Sequence, residues 1–314
     1  MNKIQGKIGV VIIHYGRSDP TLRCLASVIA DPSSAARQIV VVDNFGNLKA
    51  TQLGEGVTLI RQEDNPGFGG GANIGVESFS DRDDLSAYLI LNNDVELTPG
   101  FLDGAVLALN SDRSGAAGGP IRSGIDPSAL WYAGGGIRHL TGTVHQSRSP
   151  SDAVKAREVR FIPGTAIAVK AAAWHDIGGF DESFFLYNED IDLCLRLRRK
   201  GWRLRFEPTM ACIHHLGETT GSAHRSALYL EQITLTRLQP FKPWIYQVYL
   251  CWVHSFYNLA RVATLIARRG RASRTQVQAV WRGHFGAMAG VFGLRKPKRT
   301  LSEQKMAERN GFQG

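Results

Sequence analysis

Cysteine is scarce in this 314-residue chain, and Cys24, Cys194, Cys212 and Cys251 lie far apart without a Cys-x-x-Cys pair. That spacing suggests neither a zinc site nor a disulfide framework, and a reducing cytosol fits it best. A secretory leader is not read either. Lys3 and Lys7 precede an apolar run, Gly9 to Ile13, that is short and ends in His14-Tyr15-Gly16-Arg17 with no small-residue cleavage site. No repeat or low-complexity segment stands out. Acidic residues almost vanish from the last quarter: from Phe241 onward there are 2 Asp+Glu against 13 Lys+Arg, whereas the first 240 residues carry 26 acidic and 24 basic. The net charge of +9 therefore belongs to the tail, which suits anionic lipid headgroups, nucleic acid or plain solvent. With 43% hydrophobic and 21% charged residues, the rest has the balance of a globular domain able to bury a core.

Apolar, β-branched runs of strand length recur at Ile8-Ile13, Gln38-Val42, Val57-Ile60 and Tyr88-Leu91, separated by helix-like or turn-like segments. The alternation predicts an α/β fold with a mostly parallel sheet covered by helices. Asp19-Pro20 starts the first helix, with Leu22, Leu25, Ala26 and Ile29 on one face. A second helix is expected after the glycine cluster Gly67-Gly71, and a third near Pro99. Trp131 to Gln146 reads as strands joined by turns, and Ser147 to Ala156 as a mobile loop. A strand at Thr165-Val169 and a short helix follow. A further helix spans Glu189 to Lys200, with Asp192 and Arg196 spaced for an i,i+4 pair and Gly201 in the favoured C′ position. From Trp244 to Ile266 the chain is rich in aromatics and aliphatics, about the length of a membrane span. Gln247, His254, Asn258 and Arg261 interrupt it, which leaves two readings: an amphipathic helix in the membrane interface, or a helix packed on the catalytic domain.

Four clusters carry chemistry. In open sheets ligands bind beyond the carboxyl ends of strands, where Asp43-Asn44 and Asn92-Asn93-Asp94 stand. A carboxylate fixed at Asp94 could hold Mg²⁺ or Mn²⁺ against a diphosphate, although Asn and Asp also favour plain strand-end turns. Glu189, Asp190 and Asp192 crowd a helix start, where the helix dipole favours acids. The aromatics before them, Phe184, Phe185 and Tyr187, also suit a sugar-binding wall beside a general base. His214-His215 ends a strand; imidazole there is either structural or part of a metal site. The stretch Asn65 to Gly75 holds glycines dense enough to cradle phosphate. Gly67-x-Gly69-x-x-Ala72 roughly matches a dinucleotide fingerprint, but it follows the third strand instead of the first.

Taken in order, these segments resemble glycosyltransferase family 2, the inverting enzymes of the GT-A fold, and most closely its rhamnosyltransferase-like bacterial members. The resemblance runs from about Ile8 to Gly217. It rests on Val10-Val11-Ile12-Ile13-His14-Tyr15, Val41-Val42-Asp43-Asn44, Asn65-Pro66-Gly67-Phe68, Leu91-Asn92-Asn93-Asp94, Gly178-Gly179-Phe180-Asp181-Glu182, Tyr187-x-Glu189-Asp190-x-Asp192 and His214. It implies a Rossmann-like, mostly parallel mixed sheet over residues 1–225, with a C-terminal helical, basic region over 226–314. It implies donor contacts at His14, Tyr15, Asp43, Asn65, Gly67, Asn73, Asn92 and Asn93, and a Mg²⁺ or Mn²⁺ site at Asp94 with His214. Asp190 would be the catalytic base, with Phe180, Asp181, Glu182, Tyr187 and Glu189 around the sugar and acceptor. The implied donor is dTDP-rhamnose, with UDP-sugars next, and the acceptor a glycan or lipid-linked glycan at the inner face of the cytoplasmic membrane, with no nucleic acid. Gly16 stands where the family usually has Asn, and Asn92 replaces the first Asp of its metal motif. Two rivals remain, a dinucleotide-dependent oxidoreductase using the glycine cluster and a non-catalytic scaffold binding membranes or nucleic acid through its basic tail.

Overall fold

A computed structural model of the chain describes residues 7–35, 37–215, 227–267 and 271–292. Two compact units emerge, one built from residues 1–137, 144–182 and 189–221, the other from 138–143, 183–188 and 222–314.

The larger unit begins with the expected alternation. β1 (Ile8–His14) is buried along its whole length, α1 (Ser18–Ala30) crosses over, and β2 (Arg37–Asp43) and the half-exposed edge strand β3 (Val57–Arg61) follow in parallel. α2 (Gly67–Glu77) then leads to β4 (Ala87–Asn92), which pairs in parallel with the other side of β1. Continuous β-branched runs such as Val10-Ile13 and Ile39-Val42 suit strands covered on both faces. After β5 (Val95–Leu97) come α3 (Phe101–Leu109), β6 (Ser114–Gly118), β7 (Ile121–Ser123) and β8 (Leu130–Tyr132). The hairpin β9 (Gly135–Arg138) and β10 (Thr143–Gln146), the helical turn α4 (Pro150–Ala153) and β11 (Arg157–Val159) lead to β12 (Ala166–Lys170) and α5 (Ala171–Ile177). The unit closes with α6 (Glu189–Arg199), β13 (Arg203–Phe206) and β14 (Cys212–His214).

The main sheet has eight strands in the order β11-β13-β6-β12-β4-β1-β2-β3, with β12 antiparallel to both neighbours. A four-stranded sheet runs β5-β14-β7-β8. This is the mixed, mostly parallel α/β architecture that the strand runs predict. α6 also ends as expected, with Asp192 and Arg196 paired at 2.6 Å and Gly201 at φ +85°, a left-handed conformation glycine adopts without penalty.

Three local expectations need correction. The buried stripe of α1 is Pro20, Thr21, Cys24, Leu25 and Val28, while Ala26 is exposed and Ile29 is 50% exposed. The stripe turns because Thr21 is drawn inward by hydrogen bonds to His14 and Asn93. The glycine cluster lies inside α2 instead of preceding it. Its glycines buy close packing: a methyl group at Gly75 would strike Val11, one at Gly71 would sit 2.9 Å from the Asn44 amide, and one at Gly69 3.0 Å from Cβ of Phe180. The segment Ser147 to Ala156 contains α4, held by Ser147 Oγ donating to Asp152 Oδ2 at 2.5 Å and by Arg157 donating to the Asp152 carbonyl at 2.5 Å.

The second unit is helical: α7 (Ala227–Thr236), α8 (Trp244–Ala267) and α9 (Arg271–Val291). Leu230, Val262, Ala279 and Val280 form its core. Gly283 and Gly286 let α9 approach α7 so closely that a methyl group at either would strike Glu231 or Leu235. No helix among the described residues is long and apolar enough to cross a membrane. α8 is two-sided. Leu250, Cys251, His254, Asn258 and Val262 are buried on one face, while Ile245, Tyr249, Trp252, Phe256 and Leu259 are exposed on the other.

Candidate active site at the carboxyl edge of the sheet

Strand register gathers the acidic motifs. His14 on β1 stands beside Asp43 on β2, and Ile13 beside Asn92 on β4, so these three strands end level. β12 runs the other way, placing its amino end there: the Asn92 amide donates to the Thr165 carbonyl at 3.0 Å. The neighbouring Gly164 amide donates to Asp190 Oδ2 at 3.1 Å. Asp190, about a hundred residues from Asp94, is thus fastened to the same rim.

At Asp190, Oδ1 accepts the Ile191 amide at 2.8 Å, so each oxygen meets a backbone donor and the carboxylate is fixed in orientation. Those amides favour the charged form, but burial outweighs them and raises the Asp190 pKa above the ordinary aspartate range. Glu189 beside it is 7% exposed, and its Oε2 has no hydrogen-bond partner among the described residues. Burial first, then the charge of Asp190, pushes the Glu189 pKa up as well, so the buried pair disfavours carrying two negative charges at once. Asp192 is committed to Arg196.

The Asp94 turn is organised differently. Asp94 is 5% exposed, and its Oδ1 lies 3.0 Å from His214 Nε2. β5 and β14 bring the two together: Val95 pairs with His214, and the His215 amide donates to the Asp94 carbonyl at 2.9 Å. The edge of Trp131 packs on His214 at 5.6 Å, and His214 Nδ1 has no hydrogen-bond partner among the described residues. His215 turns instead to Glu96 at 3.2 Å, which separates the two histidines of the doublet. Two cis ligands of an octahedral cation at about 2.1 Å lie about 3.0 Å apart, so the Asp94–His214 spacing fits a shared divalent ion. No group of three or more His, Cys, Asp or Glu among the described residues could hold a metal. The remaining ligands of such an ion would be phosphate oxygens and water.

Most of the residues expected to touch a donor have side chains already engaged. His14 Nδ1 accepts from the Thr21 hydroxyl at 2.5 Å and Nε2 donates to Asn47 Oδ1 at 2.7 Å, while burial lowers its pKa and keeps it neutral. Both Asp43 oxygens accept backbone amides, from Phe45 at 3.0 Å, Gly46 at 2.7 Å and Leu48 at 3.0 Å. Asn93 donates to the Tyr15 carbonyl at 3.1 Å and to Thr21 at 2.9 Å. Asn65 accepts the Gly67 amide at 2.9 Å, and Asn44 donates to the Gly67 carbonyl at 3.0 Å. These side chains shape the rim through the backbone they hold. Tyr15, edge-on to Phe45 at 5.2 Å, and Asn92 are partly exposed there.

The expected sugar wall also changes. Phe180 is 3% exposed and wedged between Phe68 and Trp174, so its ring is core and does not line a pocket. Asn73 straps this loop down, accepting the Phe180 amide at 2.9 Å and donating to the Phe180 carbonyl at 2.9 Å and to Glu182 at 3.0 Å. Glu182 is exposed and Asp181 partly buried. Tyr187 packs on Tyr229 in the helical unit at 5.0 Å. Sequence reasoning missed Thr21 and Asn47, which fix His14, and Gly164, whose contribution is a backbone amide and leaves no side-chain signal.

The family described as "Glycosyltransferase like family 2" matches residues 5–237. An N-acetylglucosaminyl-diphospho-decaprenol L-rhamnosyltransferase of Mycobacterium tuberculosis is 30% identical over 167 residues, 45% of this chain and 53% of that protein. The chain thus spans about half the length of that relative. Two solved structures share the fold: GalNAc-T7 with UDP, GalNAc and Mn²⁺ (TM-score 0.54, 16% identity, 73% of this chain and 48% of that one), and a mannosyltransferase from Pyrobaculum calidifontis with GDP-Man and Mn²⁺ (TM-score 0.53, 14% identity, 92% and 88%). The fold is GT-A.

Proposed function

The chain belongs to the glycosyltransferase like family 2, and on that premise we propose that it transfers a sugar from a nucleotide-diphosphate donor to an acceptor hydroxyl with inversion. The observation that carries this reading is the convergence on one rim of the Asp94–His214 pair and an amide-anchored Asp190, linked through Asn92, Thr165 and Gly164. The acceptor oxygen attacks the anomeric carbon as the bond to the diphosphate oxygen breaks, and its proton passes to Asp190. A raised pKa suits that role, because a base with affinity for the proton nearer working pH takes it more readily. Glu189, whose pKa burial and Asp190 both raise, disfavours a second negative charge near the departing anion. Asp94 and His214 would hold a divalent cation, Mg²⁺ or Mn²⁺. When bound, it supplies positive charge against the departing diphosphate. Asp43, Asn65 and Asn93 act by holding the backbone beneath the donor.

The relative named N-acetylglucosaminyl-diphospho-decaprenol L-rhamnosyltransferase supports rhamnose as the sugar moved, for which dTDP-rhamnose is the donor we propose, and a lipid-linked diphospho-sugar as acceptor. The exposed stripe Ile245, Tyr249, Trp252, Phe256 and Leu259 on α8, in a strongly basic region, supports a peripheral seat on the inner membrane face. The test is a thermal-shift screen of the purified chain with Mg²⁺ or Mn²⁺ against nucleotide sugars and NAD(P). Stabilisation by a dTDP- or UDP-sugar is expected, followed by transfer. A shift with NAD(P) and with no nucleotide sugar would reject the proposal in favour of the oxidoreductase.

A further inference from the structure

The two histidines that end the four-stranded sheet are held in different ways. β14 lies between β5 and β7, with His214 opposite Val95 on one side and Ser123 on the other, and the Gly124 amide donates to the His214 carbonyl at 2.9 Å. That ladder fixes the backbone. The His215 side chain is fixed as well, by Glu96 at 3.2 Å and by a close fit at Gly124, where a methyl group would lie 2.5 Å from its Nδ1. The His214 ring turns to Asp94 instead, and the torsion that tilts a histidine ring is broad and not dictated by the backbone. The ring that meets it is Trp131, at 5.6 Å between centroids and 77° between planes.

An irregularity of the strand brings Trp131 there. Ile121 on β7 pairs with Tyr132 and Arg122 with Leu130, so one residue of β8, Trp131, is extra and has no partner across the ladder. A bulge of this kind re-aims a side chain, and bulges concentrate beside functional sites. Tyr132 next to it behaves as core: it is fully buried, and its hydroxyl donates to the Phe161 carbonyl at 2.6 Å. Trp131 is only partly buried and sits on an edge strand, so filling the interior does not account for its size. Its T-shaped contact with His214 is an arrangement that aromatic rings favour beyond the area they bury.

We propose that Trp131 is a positioning residue for the divalent cation: its indole holds the tilt of the His214 imidazole at which Nε2 and the Asp94 carboxylate address one ion. Histidine ligands are commonly oriented by a partner outside the coordination shell, and losing that partner costs about 10–100-fold in metal affinity. Here an aromatic ring takes that part, and it brings no charge that would titrate. The inference rests on the cation role proposed for Asp94 and His214, and adds to it the residue that keeps the pair aimed.

The experiment is pulsed electron paramagnetic resonance of the full chain with Mn²⁺ and saturating dTDP, repeated with UDP, alongside titration of the Mn²⁺–nucleotide complex. The wild type should show coupling of Mn²⁺ to a directly bonded imidazole nitrogen, and His214→Ala should lose it. Trp131→Leu keeps an apolar residue and removes the ring; the nitrogen coupling should weaken and affinity fall about tenfold. Trp131→Phe should restore both. Leu130→Ala, which removes packing from the same strand, should leave both at the wild-type level. Wild-type coupling and affinity in Trp131→Leu would overturn the proposal while leaving the cation site intact. So would an equal loss in Leu130→Ala, which would make the effect one of strand packing, or an equal loss of nucleotide affinity with Mn²⁺ and in EDTA, which would make Trp131 a contact to the nucleotide. Bound Mn²⁺ without nitrogen coupling in the wild type would remove His214 as a ligand and this inference with it. Coupling that depends on Trp131 in a protein that transfers no sugar would uphold the positioning role and sink only the transferase reading.

Discussion

The carboxylates of Asp94 and Asp190 reach one rim of the sheet from opposite kinds of local structure. Asp94 stands in a turn after a buried strand, with an imidazole 3.0 Å away. Asp190 opens a helix, where two amides fix its oxygens and a second acid, Glu189, is buried beside it. One setting brings a group that can share a cation; the other withholds cations and crowds carboxyl groups, lifting their pKa values. Under the proposed function the same group would serve two tasks, a charge that stays at Asp94 and a proton that comes and goes at Asp190.

The comparison is broken most directly at Asp190. Asp190→Asn keeps the shape and loses the base, so transfer should fall by about 10²–10⁴-fold while donor affinity stays near wild type. Retention of full turnover in that variant removes Asp190 from the mechanism. In the wild type the raised pKa places the acid limb of kcat/KM above the ordinary aspartate value of about 3.9, with the rate rising with pH as the base ionises. Asp94→Ala should act on binding: donor affinity measured with Mn²⁺ falls about 10–100-fold, and affinity in EDTA changes little. An equal loss with and without metal would contradict the proposed cation role.

Gly75→Ala tests whether either effect can arise from packing alone. Its new methyl group strikes Val11 between α2 and β1, so stability should drop by about 1–3 kcal/mol, read by denaturant unfolding, with the donor affinity of the folded protein unchanged. The smallest effect on turnover is expected from Glu189→Gln, which mimics the protonated acid and should keep the rate within about threefold. Its visible consequence is on stability. Burial and Asp190 raise the Glu189 pKa in the folded protein, while in the unfolded chain it ionises near the ordinary value of about 4.3, so the wild type loses stability as pH rises toward the raised folded pKa. The glutamine variant should lose that part of the slope, measurable as melting temperature against pH.

Much of this was legible in the sequence. The strands of Ile8-Ile13, Gln38-Val42, Val57-Ile60 and Tyr88-Leu91 stand out because strands buried on both faces need unbroken apolar runs, and the acids stand out because they end a strand or begin a helix. What escaped depends on partners distant in sequence. The glycines of α2 read as a loop because their reason for being glycine is Val11, Asn44 and Phe180. Phe180 read as a sugar wall, since nothing local reveals Phe68 and Trp174 around it. Thr21 carried no signal of its own in α1, because its inward place depends on bonds to His14 and Asn93.

Tyr187, which packs on Tyr229, is also held by the Thr236 hydroxyl donating to its carbonyl at 3.0 Å, and Asn188 donates to Thr236 at 2.7 Å; this clasp bears on how the chain can be recombined. The helical unit is not a module that begins at a single junction, because segments 138–143 and 183–188 belong to it. A chimera that exchanges everything after residue 225 would leave those segments facing foreign helices, and Asn188 would lose its bonds to Thr236 and the Ile233 carbonyl. Grafts that carry both segments along with the helices should preserve the approach to α6, so recombination between relatives has three seams to respect.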